Sequence, residues 1–354
     1  MSLPFLQPYF GLSNSLQTAQ ASAGGGGVGG WVELGRTTLG SASSTINVTS
    51  LADKKYYMYL IHGFIGSRYI ETRMRFNSDT GSNYAYRISG NGSADGAGGS
   101  ASNILIDGEQ DARPRFQMGF VANKSDKEKL LMGWSNIAAT GAATAPGRNE
   151  QVHKWANTSS SINAFNIFTS DPASDNYGAG SEVVVLGWDP ADTHTNNFWT
   201  ELASVNATGS SQNLSSGTIT AKNYLWVQVY CKGHTGDINM KFNNDTAGNY
   251  ARRYSSDGAG DVTNASQTSV NNMIGGGQVT PCFTNFFIIN NSANEKLIIG
   301  HDVSRGTAGA ANAPHRLEFV SKWANTSAQI TEIDVDSTAT NFSSDSMIKV
   351  YGSN

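Results

Sequence analysis

The apolar residues of this chain come in short runs of four to eight, and Gly, Asn, Ser, Asp or Pro interrupt each run. Such runs between turn-forming residues are typical of β-strands, whereas no segment keeps an apolar period of 3.6 residues over three helical turns. In the first half, the pattern predicts strands near 31–39, 54–64, 68–76, 83–89, 102–106, 116–122, 129–134, 150–157, 162–168 and 181–187. In the second half, it predicts strands near 199–204, 222–231, 237–243, 249–255, 268–274, 284–290, 296–301, 316–324, 329–334 and 346–351.

Three segments are predicted to form β-hairpins. FQMGFV–ANKSDKE–KLLMGW and NFFIIN–NSANE–KLIIG each place a polar loop between two apolar runs of similar length. RFNSDTGSNYAYR places Asn, Asp and Gly between its two runs, and these residues tolerate the positive φ of a tight turn. We therefore expect antiparallel pairing in all three segments.

The chain contains the same sequence twice. Residues 74–87 (MRFNSDTGSNYAYR) match residues 240–253 (MKFNNDTAGNYARR) at nine of fourteen positions. Further matches follow in the same order, among them VHKWANTS with VSKWANTS, and every offset falls between 165 and 168. Each copy has the length of an independent domain. The sequence predicts an N-terminal arm with a Gly-rich linker at 1–30, a first β-sandwich at 31–190 and a second at 198–354. The predicted fold class is all-β, with two tandem jelly-roll-like sandwiches.

Composition supports this interpretation and narrows the range of partners. Charged residues make up 15% of the chain and glycines number 39, a balance that favours turns and short strands over helices. The net charge of −4, without a basic block, argues against nucleic acid as a partner. No stretch approaches 18 apolar residues, and the N-terminus lacks the pattern of a secretory signal, so we expect no membrane partner.

The two cysteines, Cys231 and Cys282, both lie in the second copy, where the first copy is aligned to have Ile65 and Arg115. A disulfide therefore cannot belong to the framework that the copies share. Two buried thiols are the favoured interpretation, and a bond between them remains the alternative.

Two repeated motifs are candidates for chemistry. The loop FN-x-D-T offers oxygen ligands that suit Ca²⁺, but one carboxylate per loop, Asp79 or Asp245, is few for this ion. An Asx turn is the favoured interpretation of both loops. The WANTS segments place Trp155 and Trp323 either on an exposed platform for a sugar or, as we favour, in the core. The histidines lack metal-ligand spacing and no nucleophile motif is present, so we expect neither an enzyme nor a cofactor.

The repeated segment resembles a group of tailed-phage virion proteins of the capsid-attached or fibre type. The resemblance rests on Lys54, Tyr56, Arg75–Tyr84 and Arg87, and on Lys222, Tyr224, Phe242–Tyr250 and Arg253. The second copy departs from the pattern at Lys241 and Ala247. The resemblance covers both domains, and it implies a structural component of a bacteriophage virion built from jelly-roll sandwiches.

The N-terminal arm carries apolar residues that are too few to form a core of their own. Phe5, Leu6, Tyr9 and Phe10 are therefore predicted to dock on a partner, namely the capsid or another virion protein. We expect a non-enzymatic capsid decoration or attached fibre-type protein that is made in the host cytoplasm, is located in the virion and forms a homo-oligomer, with a trimer favoured. The alternative is a tail or fibre protein that binds host-surface carbohydrate.

Overall fold

The computed structural model describes residues 30–66, 71–107, 113–192, 196–270 and 281–354. The strands of the first half are β1 (Val32–Thr38), β2 (Thr45–Val48), β3 (Tyr56–Gly63), β4 (Thr72–Phe76), β5 (Tyr84–Gly90), β6 (Gly96–Ala101), β7 (Ile104–Leu105), β8 (Arg115–Ala122), β9 (Lys129–Ile137), β10 (Gly147–Trp155), β11 (Phe165–Thr169) and β12 (Glu182–Trp188). Those of the second half are β13 (Thr200–Asn206), β14 (Asn213–Ser215), β15 (Tyr224–Cys231), β16 (Ile238–Phe242), β17 (Tyr250–Ser256), β18 (Val262–Gln267), β19 (Cys282–Ile289), β20 (Lys296–Ser304), β21 (His315–Trp323), β22 (Ile333–Ser337) and β23 (Met347–Ser353).

The all-β prediction is confirmed: each half of the described chain is an antiparallel β-sandwich of jelly-roll-like architecture. The first has an eight-stranded sheet, β1-β12-β3-β8-β9-β10-β5-β6, and a four-stranded sheet, β2-β11-β4-β7. The second has an eight-stranded sheet, β13-β23-β15-β19-β20-β21-β17-β18, and a three-stranded sheet, β14-β22-β16. The strand order is thus the same in both large sheets. The described part of the chain has no helix that is long and apolar enough to cross a membrane.

Each sandwich has its own core between its large and small sheets. Alternate residues of the small-sheet strands are buried, as in Met74 and Phe76 of β4 and in Met240 and Phe242 of β16. This period of two is what a strand with one face on a core requires. A third apolar cluster lies between the two large sheets, and it includes Met118 and Trp226. The two sandwiches therefore pack large sheet to large sheet.

Two of the three predicted hairpins are confirmed. Strand β8 pairs with β9 and β19 pairs with β20, each through the polar loop that the sequence places between them. The prediction for RFNSDTGSNYAYR is wrong, because β4 belongs to the small sheet and β5 to the large one. The chain crosses from one sheet to the other at this loop. Asn77 and Ser78 adopt positive φ values of 54° and 56°, which turn the chain toward the opposite sheet.

Four strands were not predicted. Strands β2 and β14 are short, and β6 and β18 lie at the edges of the large sheets. Strand β6 has the sequence GAGGSA, whose composition favours a turn, and it becomes a strand only because β5 offers an unpaired edge. The predicted alignment of Ile65 with Cys231 is also wrong, since Gly63 occupies the matching position opposite Arg115.

Candidate functional site

The two repeated motifs of the first sandwich meet in one hydrogen-bonded network. Oδ1 of Asp79 accepts a hydrogen bond from the backbone N–H of Gly81 at 2.8 Å, which is an Asx turn. Oδ2 of Asp79 accepts hydrogen bonds from the Trp155 indole at 2.7 Å and from the Asn83 amide at 2.9 Å. Burial by itself raises the pKa of Asp79, but these three hydrogen bonds outweigh it and hold the pKa below its usual range. The predicted Asx turn is confirmed.

The second sandwich repeats this network. Asp245 accepts hydrogen bonds from Trp323 at 2.6 Å, from Asn249 at 2.8 Å and from the backbone of Ala247 at 2.9 Å. Trp155 and Trp323 are each 1% exposed, so the prediction that they are core residues is confirmed. Neither ring is available as a platform for a sugar.

A further candidate site lies at the interface between the two large sheets. Trp134 of β9 and His301 of β20 occupy matching positions in the two sandwiches, and their rings touch with centroids 4.9 Å apart. Contact between two matching residues places them on a local two-fold axis that relates the sandwiches. Burial lowers the pKa of His301 to about 4, so its imidazole is neutral at this contact.

One side of this axis is closed by the end of β9 and the loop that follows it. The Asn136 amide is fully buried and donates hydrogen bonds to the carbonyl oxygens of Ile298 and Ser321, both at 2.8 Å. Ala138 is 2% exposed within the apolar cluster of the interface. At the far end of the same loop, the carbonyl oxygen of Pro146 accepts a hydrogen bond at 2.8 Å from the Arg253 guanidinium of the second sandwich. The loop of the first sandwich therefore covers the large sheet of the second.

A charged network extends the closed side. The Arg148 guanidinium lies 2.5 Å from Glu150, 2.5 Å from Asp261 and 3.4 Å from Glu318. Burial raises the pKa of Glu150 to about 7; Arg148 opposes this rise and Glu318 adds to it. The buried Arg148 guanidinium thus links carboxylates of both sandwiches, and the raised pKa of Glu150 makes the network sensitive to pH.

The other side of the axis is open. It forms a cavity of about 1050 Å³ between the sandwiches, with a lining that is mostly apolar and aromatic. We call this cavity the interdomain groove; its walls include Phe120, Leu130, Met132, Val152, Phe283 and Val303. Leu130, Met132 and Val152 are 58%, 41% and 52% exposed, and Met132 lies directly opposite Val152 on β9 and β10.

The same face is buried in the second sandwich. Leu297, Ile299 and Val320 match Leu130, Met132 and Val152 in register, yet they are 0%, 2% and 1% exposed. Ala138, at the start of the loop after β9, belongs to the same apolar cluster as these three residues, whereas the matching loop after β20 (305–314) contributes no residue to the lining of the groove. The groove is therefore the unfilled counterpart of the closed side.

Two substitutions between the copies explain the asymmetry. Val303 stands where the first copy has Asn136, so the second copy lacks the amide that makes two hydrogen bonds across the interface. Arg305 stands where the first copy has Ala138. The two positions correspond because the backbone N–H group of each residue donates a hydrogen bond to the carbonyl oxygen of a proline. A guanidinium cannot enter an apolar interface unpaired without a large desolvation cost. The second loop consequently remains away from the groove.

Neither the groove nor a second cluster, of two cysteines and a histidine, was predicted from the sequence. Cys231, His234 and Cys282 are buried together in the second sandwich, with their potential ligand atoms all within 4.8 Å of one another. The Cys-x-x-His spacing of 231–234 was the signal that could have pointed to this cluster. The predicted docking residues Phe5, Leu6, Tyr9 and Phe10 lie outside the described residues. Trp31, two residues into the described part of the chain, lines the groove.

Comparisons with known proteins leave the family open. No protein-family model and no curated protein matches this chain. Among solved structures, the chain is similar to domains LG4-5 of the mouse laminin alpha1 chain, with 6% sequence identity and a TM-score of 0.18 over 93% of this chain and 92% of that one. A likeness of this size carries no argument about function.

Proposed function

We propose that this chain is a non-enzymatic structural protein of a bacteriophage virion, of the capsid-decoration or attached-fibre type. The resemblance of the repeated segments to virion proteins supports the class, and the interdomain groove supports a role in docking. Apolar side chains as exposed as Leu130 and Val152, clustered on one face, mark a surface that another polypeptide covers.

The exposed apolar side chains of the groove carry the proposal. The matching face of the second sandwich indicates which groups can pack on such a surface. It is covered by a loop of small apolar residues and by a buried amide. A partner that supplies an apolar segment with a few backbone donors and acceptors would fit the groove of the first sandwich in the same way. The N-terminal arm, with Phe5, Leu6, Tyr9 and Phe10, attaches the protein to the capsid in this proposal, and the groove joins it to a neighbouring copy or another virion protein. A trimer is the favoured assembly.

Incorporation into particles tests the groove. In Met132→Glu with Val152→Glu, two carboxylates replace apolar contacts, and we expect the copy number per purified virion, measured by mass spectrometry, to fall at least tenfold. Val262→Glu is the matched control, because Val262 is 44% exposed and apolar but lies on the edge strand β18 outside the groove. Equal incorporation of the groove variant and the control would contradict a docking role for the groove.

Deletion of residues 2–23 tests the arm. We expect unchanged far-ultraviolet circular dichroism, because strands β1 to β23 all lie outside the deleted segment, together with loss of incorporation. Normal incorporation of the deletion would show that the sandwiches alone carry the docking surface. Binding of the intact protein to host glycans, lost in groove variants, would instead favour the carbohydrate-binding alternative.

A further inference from the structure

The second sandwich contains a buried cluster of two thiols and one imidazole. Cys231 ends β15 and Cys282 begins β19, and the two residues lie directly opposite each other in the antiparallel pair. His234 lies in the turn after β15, three residues beyond Cys231. Cys231, Cys282 and His234 are 0%, 2% and 8% exposed, and both cysteines are free thiols. The potential ligand atoms of all three fall within 4.8 Å of one another.

The imidazole is placed as a ligand would be. Its Nδ1 is buried and has no hydrogen-bond partner among the described residues. The ring also hydrogen-bonds the backbone at Gly236, which fixes its orientation. Histidine ligands of metal sites are commonly held in this way by a backbone group.

The first sandwich shows how this part of the fold accommodates charge. At the matching positions it has Gly63 and Arg115, and the fully buried Arg115 guanidinium pairs with Asp107 at 2.6 Å. A buried cation is thus balanced by a buried anion at this point in the first copy. In the second copy the arginine is replaced by Cys282, and two thiolates would carry the charge that balances a divalent cation.

We propose that Cys231, His234 and Cys282 bind one divalent cation of the zinc class. Thiolate and imidazole ligands in a tetrahedral arrangement suit Zn²⁺, and three protein ligands leave a fourth position for a water molecule. Binding releases the two thiol protons to solvent, and no oxidation is involved. The cation would tie the turn between β15 and β16, where the chain passes from the large to the small sheet, to the start of β19.

Cobalt substitution in the full-length protein tests the site. Reduced protein freed of metal and titrated with Co²⁺ should bind one equivalent and show a thiolate-to-cobalt charge-transfer band together with the visible bands of tetrahedral coordination. Cys282→Ser and His234→Asn should each weaken binding at least a hundredfold. Zn²⁺ should raise the melting temperature of the wild type and leave that of Cys282→Ser unchanged, a readout that also shows whether each variant is folded.

His153→Ser is the matched control. His153 is a buried histidine of the first sandwich, and its counterpart in the second copy is Ser321, so the fold accepts serine there. This variant should keep the cobalt spectrum of the wild type. The site is refuted if reduced wild-type protein binds no Co²⁺, if Cys282→Ser binds as the wild type does, or if the thiols form a disulfide that metal does not prevent.

Discussion

At the residue scale, hydrogen bonds join the two repeated motifs of each sandwich, although their side chains lie far apart in the sequence. The indole of Trp323 and the amide of Asn249 both donate to one oxygen of Asp245, and the Lys296 ammonium lies 5.5 Å from the centre of the indole. The same lysine donates a hydrogen bond to the carbonyl oxygen of Asn325 at 2.8 Å. The identity of the two copies at these positions follows from this mutual dependence, because the loss of any one member leaves a buried polar partner unsatisfied.

Trp323→Ala should therefore destabilise the protein strongly. We expect the free energy of unfolding to fall by about 3–5 kcal/mol, the usual cost of truncating a large buried aromatic side chain. Urea denaturation followed by circular dichroism measures the loss. Tyr230→Ala is a control, because Tyr230 is 37% exposed and should cost far less. Similar losses in both variants would contradict the core role of Trp323.

At the element scale, β10 and β21 bring Glu150 and Glu318 together across the interface, and the Arg148 guanidinium pairs with both. Because burial raises the pKa of Glu150 to about 7, the folded protein retains a proton that the unfolded chain loses near its ordinary pKa. The contribution of Glu150 is therefore most favourable at low pH and declines as the pH rises toward 7.

Glu150→Gln should remove this decline. Compared with the wild type, the variant should gain stability between about pH 5 and pH 8 in chemical denaturation, since an amide does not ionise. Taking the difference between the two proteins separates Glu150 from His301, which titrates in both. Glu128→Gln, at an exposed carboxylate paired with Lys154, is expected to leave the pH profile unchanged. A difference that does not vary with pH would rule out titration of Glu150 in this range.

At the scale of the whole molecule, two sandwiches of the same fold form an interface that is two-fold at its centre and asymmetric at its rim. Trp134 and His301 meet at the centre, whereas Asn136 and Ala138 close one side and Val303 and Arg305 leave the other open. A duplicated domain can thus use one face for internal packing and leave the matching face exposed.

Asn136→Val combined with Ala138→Arg copies the residues of the second sandwich into the first, and it should open the closed side. The change removes two interdomain hydrogen bonds, each worth about 1 kcal/mol, and brings an unpaired charge into the apolar cluster. We expect a larger radius of gyration in small-angle scattering and two thermal transitions in place of one. Arg305→Ala, which removes the charge beside the groove, should show neither effect, and a compact double variant would refute this account of the asymmetry.

The sequence by itself determined the strands and the duplication, because both follow from local information. Apolar runs of strand length, polar loops such as ANKSDKE and the order of matching motifs were enough to predict two all-β copies and the β8–β9 and β19–β20 hairpins. The Asx turns at Asp79 and Asp245 were also predictable, since they depend on atoms two residues apart.

Only the tertiary structure decided which sheet each strand joins and which faces meet. The segment RFNSDTGSNYAYR has the composition of a hairpin, but β4 and β5 each gain more by pairing with β11 and β10 than by pairing with each other. The groove depends on Val303 lining the same cavity as Met132 and Val152, which lie more than a hundred residues away, and the cluster of Cys231 and Cys282 depends on strand register. Contacts at such separations are set by packing and register, which no short stretch of sequence specifies.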